Sequence, residues 1–298
     1  MKPKITFIIN PKAGTQRKTK IEELIGRHAD KQKIEIQLLH TQAPGHATDL
    51  ARASAQTSDL VVAVGGDGTV NEVAAGLLKG PCPMGILPLG SGNGLARHLR
   101  IPMGMENAIG LLSNYEIQRI DTLLLNDRLS LNVSGIGFDA HVGHLFAHSP
   151  KRGLAAYTRI TAREFNRYET QKYRLRFNNQ DIDVEAFAIS FANSSQFGNN
   201  ARIAPSASLQ DGLIDMAILS KFPLVAAPIL AAKLFTDSIS TSRYMKIYQT
   251  SSVIVSSQDG EALLAHVDGE PARFEDGLQV SIAPLSLNLA IPKGGQRI

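Results

Sequence analysis

Glycines, one acid and one hydroxyl lie together between Gly65 and Thr69, in an order that suits phosphate binding. The apolar run Leu60–Val64 precedes them and predicts a buried strand, and from Val70 apolar residues recur at helical spacing. A strand, a glycine turn and a helix start present backbone N–H groups and the positive end of a helix dipole to an anion. Asp67 would repel a bare phosphate, so its presence in the turn suggests a divalent cation and Mg-nucleotide chemistry. An ordinary tight turn between a strand and a helix is the alternative.

A second pair of acids, Asp268 and Glu270, flanks a glycine near the end of the chain. On an extended chain the side chains at i and i+2 share a face, and Gly269 would permit a bend. Two crowded carboxylates can hold a metal, and one of them can accept a proton because its neighbour raises its pKa. A simple hairpin turn is the alternative.

Two further turns follow predicted strands. Asn10–Gly14 (NPKAG) comes at the end of the strand Ile5–Asn10, and Gly90–Gly94 comes after the strand Gly85–Leu89. In α/β proteins, ligands bind at the carboxyl ends of parallel strands, where such turns meet. Two glycine loops at one sheet edge therefore predict a ligand cleft.

Strands and helices alternate up to about Asp121, which predicts an α/β domain with a mostly parallel, Rossmann-like sheet. Strand-like runs separated by turn residues dominate afterwards and predict a mainly antiparallel β-sandwich. These runs are Arg128–Val133, Tyr173–Phe177, Val184–Ala192, Leu213–Leu219, Ser252–Ser256, Ala262–Val267, Leu278–Ala283 and Leu287–Ile291. The predicted domains are residues 1–125 and 126–298, and the last residues can return to the first domain.

The composition is that of a folded soluble protein, since 43% of the 298 residues are hydrophobic and 19% are charged. The net charge of +4 is compatible with nucleotides or with anionic membranes. The single Cys82 excludes an internal disulfide and fits a reducing, cytoplasmic compartment. We find no signal pattern and no apolar run of about 20 residues, so we expect any membrane contact to be peripheral.

A basic stretch between Lys151 and Arg176 contains eight basic residues and two acidic ones. Arg159, Arg163 and Arg167 are four residues apart and would share one helix face. Such a face could bind anionic lipid at about 1 kcal/mol per charge, although a solvated helix face is the simpler interpretation. The interleaved aromatic residues match no nucleic-acid-binding module, so no nucleic-acid partner is expected.

Five motifs, taken in order, resemble the diacylglycerol kinase catalytic-domain family. This family includes bacterial YegS-like lipid kinases, sphingosine kinases and ceramide kinases, and it is more distantly related to NAD kinases. The motifs are NPKAG at Asn10, GGDGTVNEV at Gly65, GSGNGLAR at Gly90, the loop Ala204–Asp215 and DGE at Asp268. The resemblance implies an NAD kinase-like α/β domain, a β-rich lipid-substrate domain, and Mg-dependent transfer of phosphate from ATP to a lipid hydroxyl. Diacylglycerol-like and sphingoid-base-like lipids are both compatible with it.

The resemblance also implies roles for individual residues, with ATP lying in the cleft between the domains. Glu270 would accept the proton of the lipid hydroxyl, Asp268 would support the metal or phosphate geometry, and Asp67 would act through Mg on the phosphates. The implied nucleotide contacts are Asn10, Lys12, Gly14, Thr41, Gly65, Gly66, Asp67, Gly68, Thr69, Val70, Asn71, Glu72, Gly90, Ser91, Gly92 and Asn93. The implied ligands of a structural Mg ion are Ser208, Asp211 and Leu213.

Several alternatives stay open. Gly94 stands where many bacterial diacylglycerol kinases carry Asp, which removes a carboxylate and weakens the case for diacylglycerol as the substrate. Asp139, in a segment that resembles another family motif, meets a lipid head group or caps a glycine bend. The rival functions are a soluble-metabolite kinase of NAD kinase type, a non-catalytic nucleotide- or lipid-binding protein, and a dinucleotide oxidoreductase. The expected partners are a membrane lipid, the anionic inner face of the membrane and, through exposed sheet edges, a second copy of the chain.

Overall fold

The computed structural model describes residues 2–14, 18–28, 34–150 and 154–294. Its strands are β1 (Lys4–Ile9), β2 (Glu35–His40), β3 (Leu60–Gly65), β4 (Met84–Pro88), β5 (Tyr115–Leu125), β6 (Arg128–Ser130), β7 (Val133–Gly137), β8 (Gln171–Phe177), β9 (Gln180–Ala186), β10 (Ala188–Ala192), β11 (Gln196–Gly198), β12 (Ala201–Arg202), β13 (Ile214–Leu219), β14 (Met245–Thr250), β15 (Ser252–Ser257), β16 (Leu263–Val267), β17 (Glu270–Phe274) and β18 (Leu278–Pro292). Its α-helices are α1 (Lys18–His28), α2 (His46–Ser54), α3 (Asp67–Leu77), α4 (Gly94–His98), α5 (Met105–Leu111), α6 (Phe138–Ala147), α7 (Leu154–Phe165) and α8 (Ala227–Phe235), and Leu224–Ala226 and Ile239–Thr241 are 3₁₀ turns.

The chain forms two compact units. The first unit comprises residues 1–121 and 284–298, and the second comprises residues 122–283. The chain passes from one unit to the other within β5 and returns within β18.

A parallel sheet forms the centre of the first unit. Its strands lie in the order β2-β1-β3-β4, and all three neighbouring pairs are parallel. Every residue of β3 and of β4 is buried, as expected for strands covered on both faces by helices. The predicted Rossmann-like α/β fold class is confirmed.

Two antiparallel layers form the second unit. One layer has the strand order β14-β13-β10-β7-β16-β17, and in the other β15 pairs with β8 and with residues 278–281 of β18 while β8 also pairs with β9. A single apolar cluster contains side chains from both layers, such as Ile189 and Met216 from the first and Leu175 and Val255 from the second. The predicted mainly antiparallel β-sandwich is confirmed.

Strand β8 illustrates why this sheet has one apolar face. Tyr173, Leu175 and Phe177 are buried, whereas the residues between them are exposed. The exposed Arg174 and Arg176 form ion pairs with acids of the neighbouring β9, so two charges of the predicted basic stretch are already paired. Lys151 and Arg152, at the start of that stretch, lie outside the described residues.

Some predicted element boundaries are wrong. The run Val184–Ala192 is divided at Phe187 between β9 and β10. The runs Leu278–Ala283 and Leu287–Ile291 belong instead to one long strand, β18. Helix α7 ends at Phe165, so Arg167 lies beyond the helix whose face it was predicted to share. Apolar periodicity identifies buried segments better than it locates the residue at which one ends.

Within the described ranges, no helix has the length and apolar character needed to cross a membrane. The longest of them, α7, has 12 residues.

Candidate nucleotide and acceptor sites

Three loops begin side by side at the carboxyl edge of the parallel sheet in the first unit. Ile9 of β1 lies beside Val64 of β3, and Gly65 lies beside Pro88 of β4. The segments that follow these strands, residues 10–14, 66–69 and 89–94, carry the three glycine-containing motifs of the first domain. This is the sheet edge at which α/β proteins bind ligands.

Asn10 links the first of these loops to the second. Its Nδ2 donates to Thr69 Oγ1 at 3.1 Å, and its Oδ1 accepts the backbone N–H of Lys12 at 2.9 Å. The first loop also approaches the third closely, because a Cβ added to Gly14 would lie 2.9 Å from the carbonyl oxygen of Leu89. Gly14 has a φ of 69°, so glycine is favoured there on conformational grounds as well.

Asp67 links the second loop to the third. Its Oδ2 accepts the backbone N–H of Asn93 and its Oδ1 accepts that of Gly94, each at 2.9 Å. Asn93 Nδ2 in turn donates to the carbonyl oxygen of Gly90 at 2.7 Å. The two glycine loops also touch through their backbones, since a Cβ added to Gly90 would lie 2.8 Å from the Cα of Gly66. The Asp67 carboxylate therefore fixes the positions of the two glycine loops, both of which are candidates for binding phosphate.

Helix α3 begins at Asp67, three residues earlier than the sequence pattern predicts. Gly66 is its N-cap residue in an extended conformation, and no side chain caps this end. Glycine at Gly65 leaves room for Thr69, because an added Cβ would lie 2.5 Å from the threonine side chain. The first N–H groups of a helix lack acceptors within the helix, so this end of α3 offers main-chain donors and a positive dipole end to an anion.

Thr41 and Glu72 occupy different settings. The N–H of Thr41 donates to the carbonyl oxygen of Ile9 at 3.0 Å, which places Thr41 at the same sheet edge as the three loops. The Glu72 carboxylate accepts the N–H groups of Gly45 at 2.8 Å and Ala47 at 3.1 Å, at the start of α2. A carboxylate at this position stabilises the helix N-terminus. The observed contacts of Glu72 are thus structural, and its contact with a nucleotide stays a prediction.

The other predicted nucleotide contacts differ in exposure. Val70 is buried, with 6% of its surface exposed, so only its backbone could reach a ligand. Lys12 and Ser91 are exposed, and Asn71 is partly exposed. The first unit thus brings the NPKAG, GGDGT and GSGNG residues together at one edge, whereas Val70, Asn71 and Glu72 continue into α3.

In the second unit, the DGE motif forms a tight hairpin between β16 and β17. Val267 pairs with Glu270, which leaves Asp268 and Gly269 as a two-residue turn with φ angles of 49° and 89°. The expectation of an extended chain with both acids on one face is wrong, because Asp-Gly favours a turn with positive φ at both residues. Glu270 is exposed at the start of β17, whereas Asp268 is partly buried.

Asp268 fixes this hairpin to the loop before β7. Its Oδ1 accepts from Ser130 Oγ at 2.7 Å and from the Asn132 N–H at 3.0 Å, and its Oδ2 accepts the Leu131 N–H at 2.8 Å. The Asp268 N–H donates to Ser134 Oγ at 3.1 Å. These bonds make Asp268 an anchor of the turn, and its predicted role toward a metal or phosphate stays a prediction.

His266 is a residue of this site that sequence reasoning did not assign. Its Nδ1 accepts the Gly269 N–H at 3.3 Å, and its Nε2 lies 3.1 Å from Asp139 Oδ2. Because Nδ1 accepts a hydrogen bond from the backbone N–H, the proton of the neutral ring is on Nε2, which donates to the carboxylate. Gly135 makes room for this pair, since an added Cβ would lie 2.7 Å from Asp139 Oδ2. The sequence signals this role only by the position of His266, which lies three residues before Gly269 of the Asp-Gly turn.

The loop Ala204–Asp215 concentrates oxygen atoms. Asp211 Oδ1 accepts the Leu213 N–H at 3.0 Å, and Ser208 Oγ accepts a backbone N–H from two residues further on. Asp215 is buried, its Oδ2 has no hydrogen-bond partner within the described residues, and burial together with the nearby Asp211 raises its pKa to about 6. No three His, Cys, Asp or Glu side chains of the described ranges are placed to share a metal. The oxygen atoms of this loop, with the unpartnered Oδ2 of the buried Asp215 beside them, nevertheless fit a hard cation such as Mg²⁺.

Two family models match the chain, one over each part. The family described as "Diacylglycerol kinase catalytic domain" matches residues 4–125, and the family described as "YegS C-terminal NAD kinase beta sandwich-like domain" matches residues 132–291. A Serratia proteamaculans protein named "Probable lipid kinase YegS-like" is 32% identical over 221 residues, which cover 70% of this chain and 71% of the relative. A protein of the same name from Chromohalobacter salexigens is 29% identical over 257 residues, which cover 84% and 82% of the two chains.

Solved structures share the fold. A crystal structure from Bacillus anthracis str. Sterne covers 97% of each chain with a TM-score of 0.80 at 22% identity. A second crystal structure from this organism, described as a diacylglycerol kinase, covers the same shares with a TM-score of 0.73 at 19% identity. The β-sandwich match alone spans more than half of the sequence. The chain belongs to the YegS-like lipid kinase family, with a catalytic domain of the diacylglycerol kinase type.

Proposed function

We propose that this lipid kinase transfers the γ-phosphoryl group of ATP to a hydroxyl group of a membrane lipid, in a reaction that requires Mg²⁺. The observation that carries the proposal is that Asn10 and Asp67 join three loops of the first unit through hydrogen bonds at neighbouring strand ends. Backbone donors held in place before the ligand arrives suit the phosphate chain of ATP, because little ordering remains to be done on binding. The hydroxyl groups of Thr41 and Ser91 are proposed as further nucleotide contacts.

On the acceptor side, Glu270 is the proposed proton acceptor. As the lipid hydroxyl oxygen bonds to the γ-phosphorus, the bond from that phosphorus to the β–γ bridging oxygen breaks and ADP leaves. The hydroxyl proton passes to the Glu270 carboxylate. Exposure of Glu270 leaves it accessible to a substrate, and the contacts of Asp268 and His266 hold the turn from which it projects. A fixed backbone at the proton acceptor favours alignment with the reacting hydroxyl.

Mg²⁺ has two proposed places. In the loop Ala204–Asp215, the Asp211 carboxylate with oxygen atoms of Ser208 and Leu213 would hold a structural ion, and the orphaned Asp215 oxygen supports a cation there. Bound to the nucleotide, Mg²⁺ would neutralise phosphate charge. Asp67, whose carboxylate lies between the two glycine loops, is proposed to act on that cation as well.

The test measures transfer of labelled phosphate from ATP to diacylglycerol, monoacylglycerol and sphingoid bases in mixed micelles with Mg²⁺. Glu270→Gln is expected to lower the turnover by about 10²- to 10⁴-fold, because a general base contributes on that order. Glu261→Gln is the matched control, since Glu261 is another exposed acid close to β16.

Three results would contradict the proposal. Full turnover by Glu270→Gln would remove Glu270 from the reaction. Phosphorylation of NAD in place of every lipid would favour the soluble-metabolite alternative. Absence of ATP binding by the wild-type protein would mean that the loops have a structural role only.

A further inference from the structure

An apolar surface of the second unit is left uncovered. It is formed by Leu224, Val225, Ile229 and Phe235, whose exposed fractions are 55%, 83%, 62% and 60%. These are four of the eight large hydrophobic side chains that are exposed in the described part of the chain, and they fall within 12 consecutive residues. We call this group the α8 surface. Such a concentration marks an interaction site more often than chance exposure does.

Helix α8 is apolar on both of its faces. Leu230 is buried and Leu234 packs against the adjoining core cluster, so one face is already covered by the second unit. Ile229 and Phe235 of α8, and Val225 of the 3₁₀ turn before it, are exposed and lie away from that covered face. A helix with two apolar faces needs a packing partner for each, and none of the described residues packs against the second face of α8.

The segment that carries the α8 surface is basic. Between Phe222 and Phe235, Lys233 is the only charged residue. The wider segment 220–246 carries four basic residues and one acid, namely Lys221, Lys233, Arg243, Lys246 and Asp237. That acid forms an ion pair with Arg202, so it does not offset the basic residues of the segment. An apolar surface carried by a basic segment complements an anionic lipid bilayer.

We propose that the α8 surface inserts into the interfacial region of an anionic membrane and holds the enzyme where its lipid acceptor lies. This inference rests on the proposed function, since a membrane lipid as acceptor is what brings the protein to a bilayer. The nine residues of α8 are about 14 Å long, roughly half the thickness of the hydrocarbon core, so the helix lies along the interface and does not cross it.

The basic face of α7 is a weaker membrane contact. Arg163 pairs with Glu164 at 2.7 Å, and among the α7 side chains that the structure describes, the exposed large apolar one is Tyr157, at 37%. Charge without apolar insertion gives attraction that salt screens. The α8 surface adds a contribution that salt does not remove.

The experiment measures co-sedimentation with vesicles of phosphatidylcholine containing about one third phosphatidylglycerol, without nucleotide. Val225→Ser, Ile229→Ser and Phe235→Ser are combined in one variant. We expect its vesicle partition coefficient to fall about tenfold or more, because three apolar side chains no longer leave water. Ile117→Ser combined with Ile254→Ser is the matched control, since both residues are exposed apolar side chains elsewhere, and its partitioning is expected to stay unchanged.

Activity separates this inference from the proposed function. The triple variant is expected to lose activity on lipid in vesicles while keeping wild-type turnover on a short-chain acceptor in detergent micelles. Wild-type protein that phosphorylates the micellar acceptor but does not bind vesicles, or a triple variant that binds them like wild type, would overturn the inference and leave the function standing. A wild-type dimer that the triple variant abolishes, with vesicle binding unchanged, would assign the surface to a second copy of this chain. Absence of phosphate transfer in micelles by wild type would overturn the proposed function.

Discussion

Asp67 joins the GGDGT and GSGNG loops through two hydrogen bonds, and Asp67→Asn weakens this link with little change in side-chain shape. The carboxylate accepts one backbone N–H on each oxygen, from Asn93 and from Gly94. An asparagine keeps one acceptor oxygen and turns an NH₂ group toward the other N–H. One bond is lost, its donor faces another donor, and the remaining bond is no longer charge-assisted.

The expected magnitude follows from these two bonds. A hydrogen bond to a charged group contributes about 1.5–3 kcal/mol. Asp67 is partly exposed, so water can replace part of what is lost, and we expect about 2 kcal/mol in the free energy of opening the Gly90–Gly94 loop. That free energy corresponds to about a 30-fold larger open population.

Amide hydrogen exchange of Asn93 and Gly94 measures this opening directly. In nucleotide-free and Mg-free protein, Asp67→Asn should raise the exchange rate of these two amides by about 30-fold. Its ATP affinity should fall as well, because part of the binding free energy is then used to close the loop. Asp49→Asn is the control, since Asp49 is exposed and forms an ion pair with Arg52 of the same helix. Unchanged exchange rates, with ATP affinity lowered only when Mg²⁺ is present, would refute the loop-joining role of Asp67 and leave it with a cation role alone.

Two further predictions concern buried positions. Gly135→Ala should destabilise the second unit by about 1–3 kcal/mol and lower turnover, because the added Cβ would lie 2.7 Å from Asp139 Oδ2 and separate Asp139 from His266. Denaturant unfolding and steady-state kinetics of the variant check these two effects. A wild-type free energy of unfolding together with wild-type turnover would contradict the prediction. Cys82 should react with a thiol reagent at pH 8 about a hundredfold more slowly than an exposed thiol, because burial and then Asp59 raise its pKa from 9.0 to about 11 and little thiolate forms below that pH. Unfolding in denaturant should restore the fast rate, and fast labelling of the native protein would contradict the assigned burial.

Local patterns were sufficient to predict the α/β character of the first domain and the antiparallel second domain. The run Leu60–Val64 is apolar throughout, and the structure buries it in the centre of the parallel sheet. In β8, apolar and charged residues alternate, as a strand with one buried face requires. Both signals lie within a few consecutive residues, which is why they could be recognised from the sequence.

Local patterns were less informative about how the motif residues are used. Asp67 contacts residues 26 and 27 positions away, and Asp268 contacts residues more than 130 positions away. Glu72 belongs to the GGDGTVNEV motif, yet its carboxylate stabilises the start of α2. These partners depend on strand order and loop packing, so inspection of each motif alone could not identify them.

By itself, the sequence determined where the glycine turns and the Asp-Gly hairpin occur, because glycine and the Asp-Gly pair have their own backbone preferences. Only the tertiary structure decided that Asp67 joins two loops, that His266 supports the DGE turn, and that one apolar face of α8 is left exposed. A side chain's hydrogen-bond partners and its exposure are set by the segments that the fold brings beside it. Those segments are distant in the chain, and their approach is a property of the whole fold.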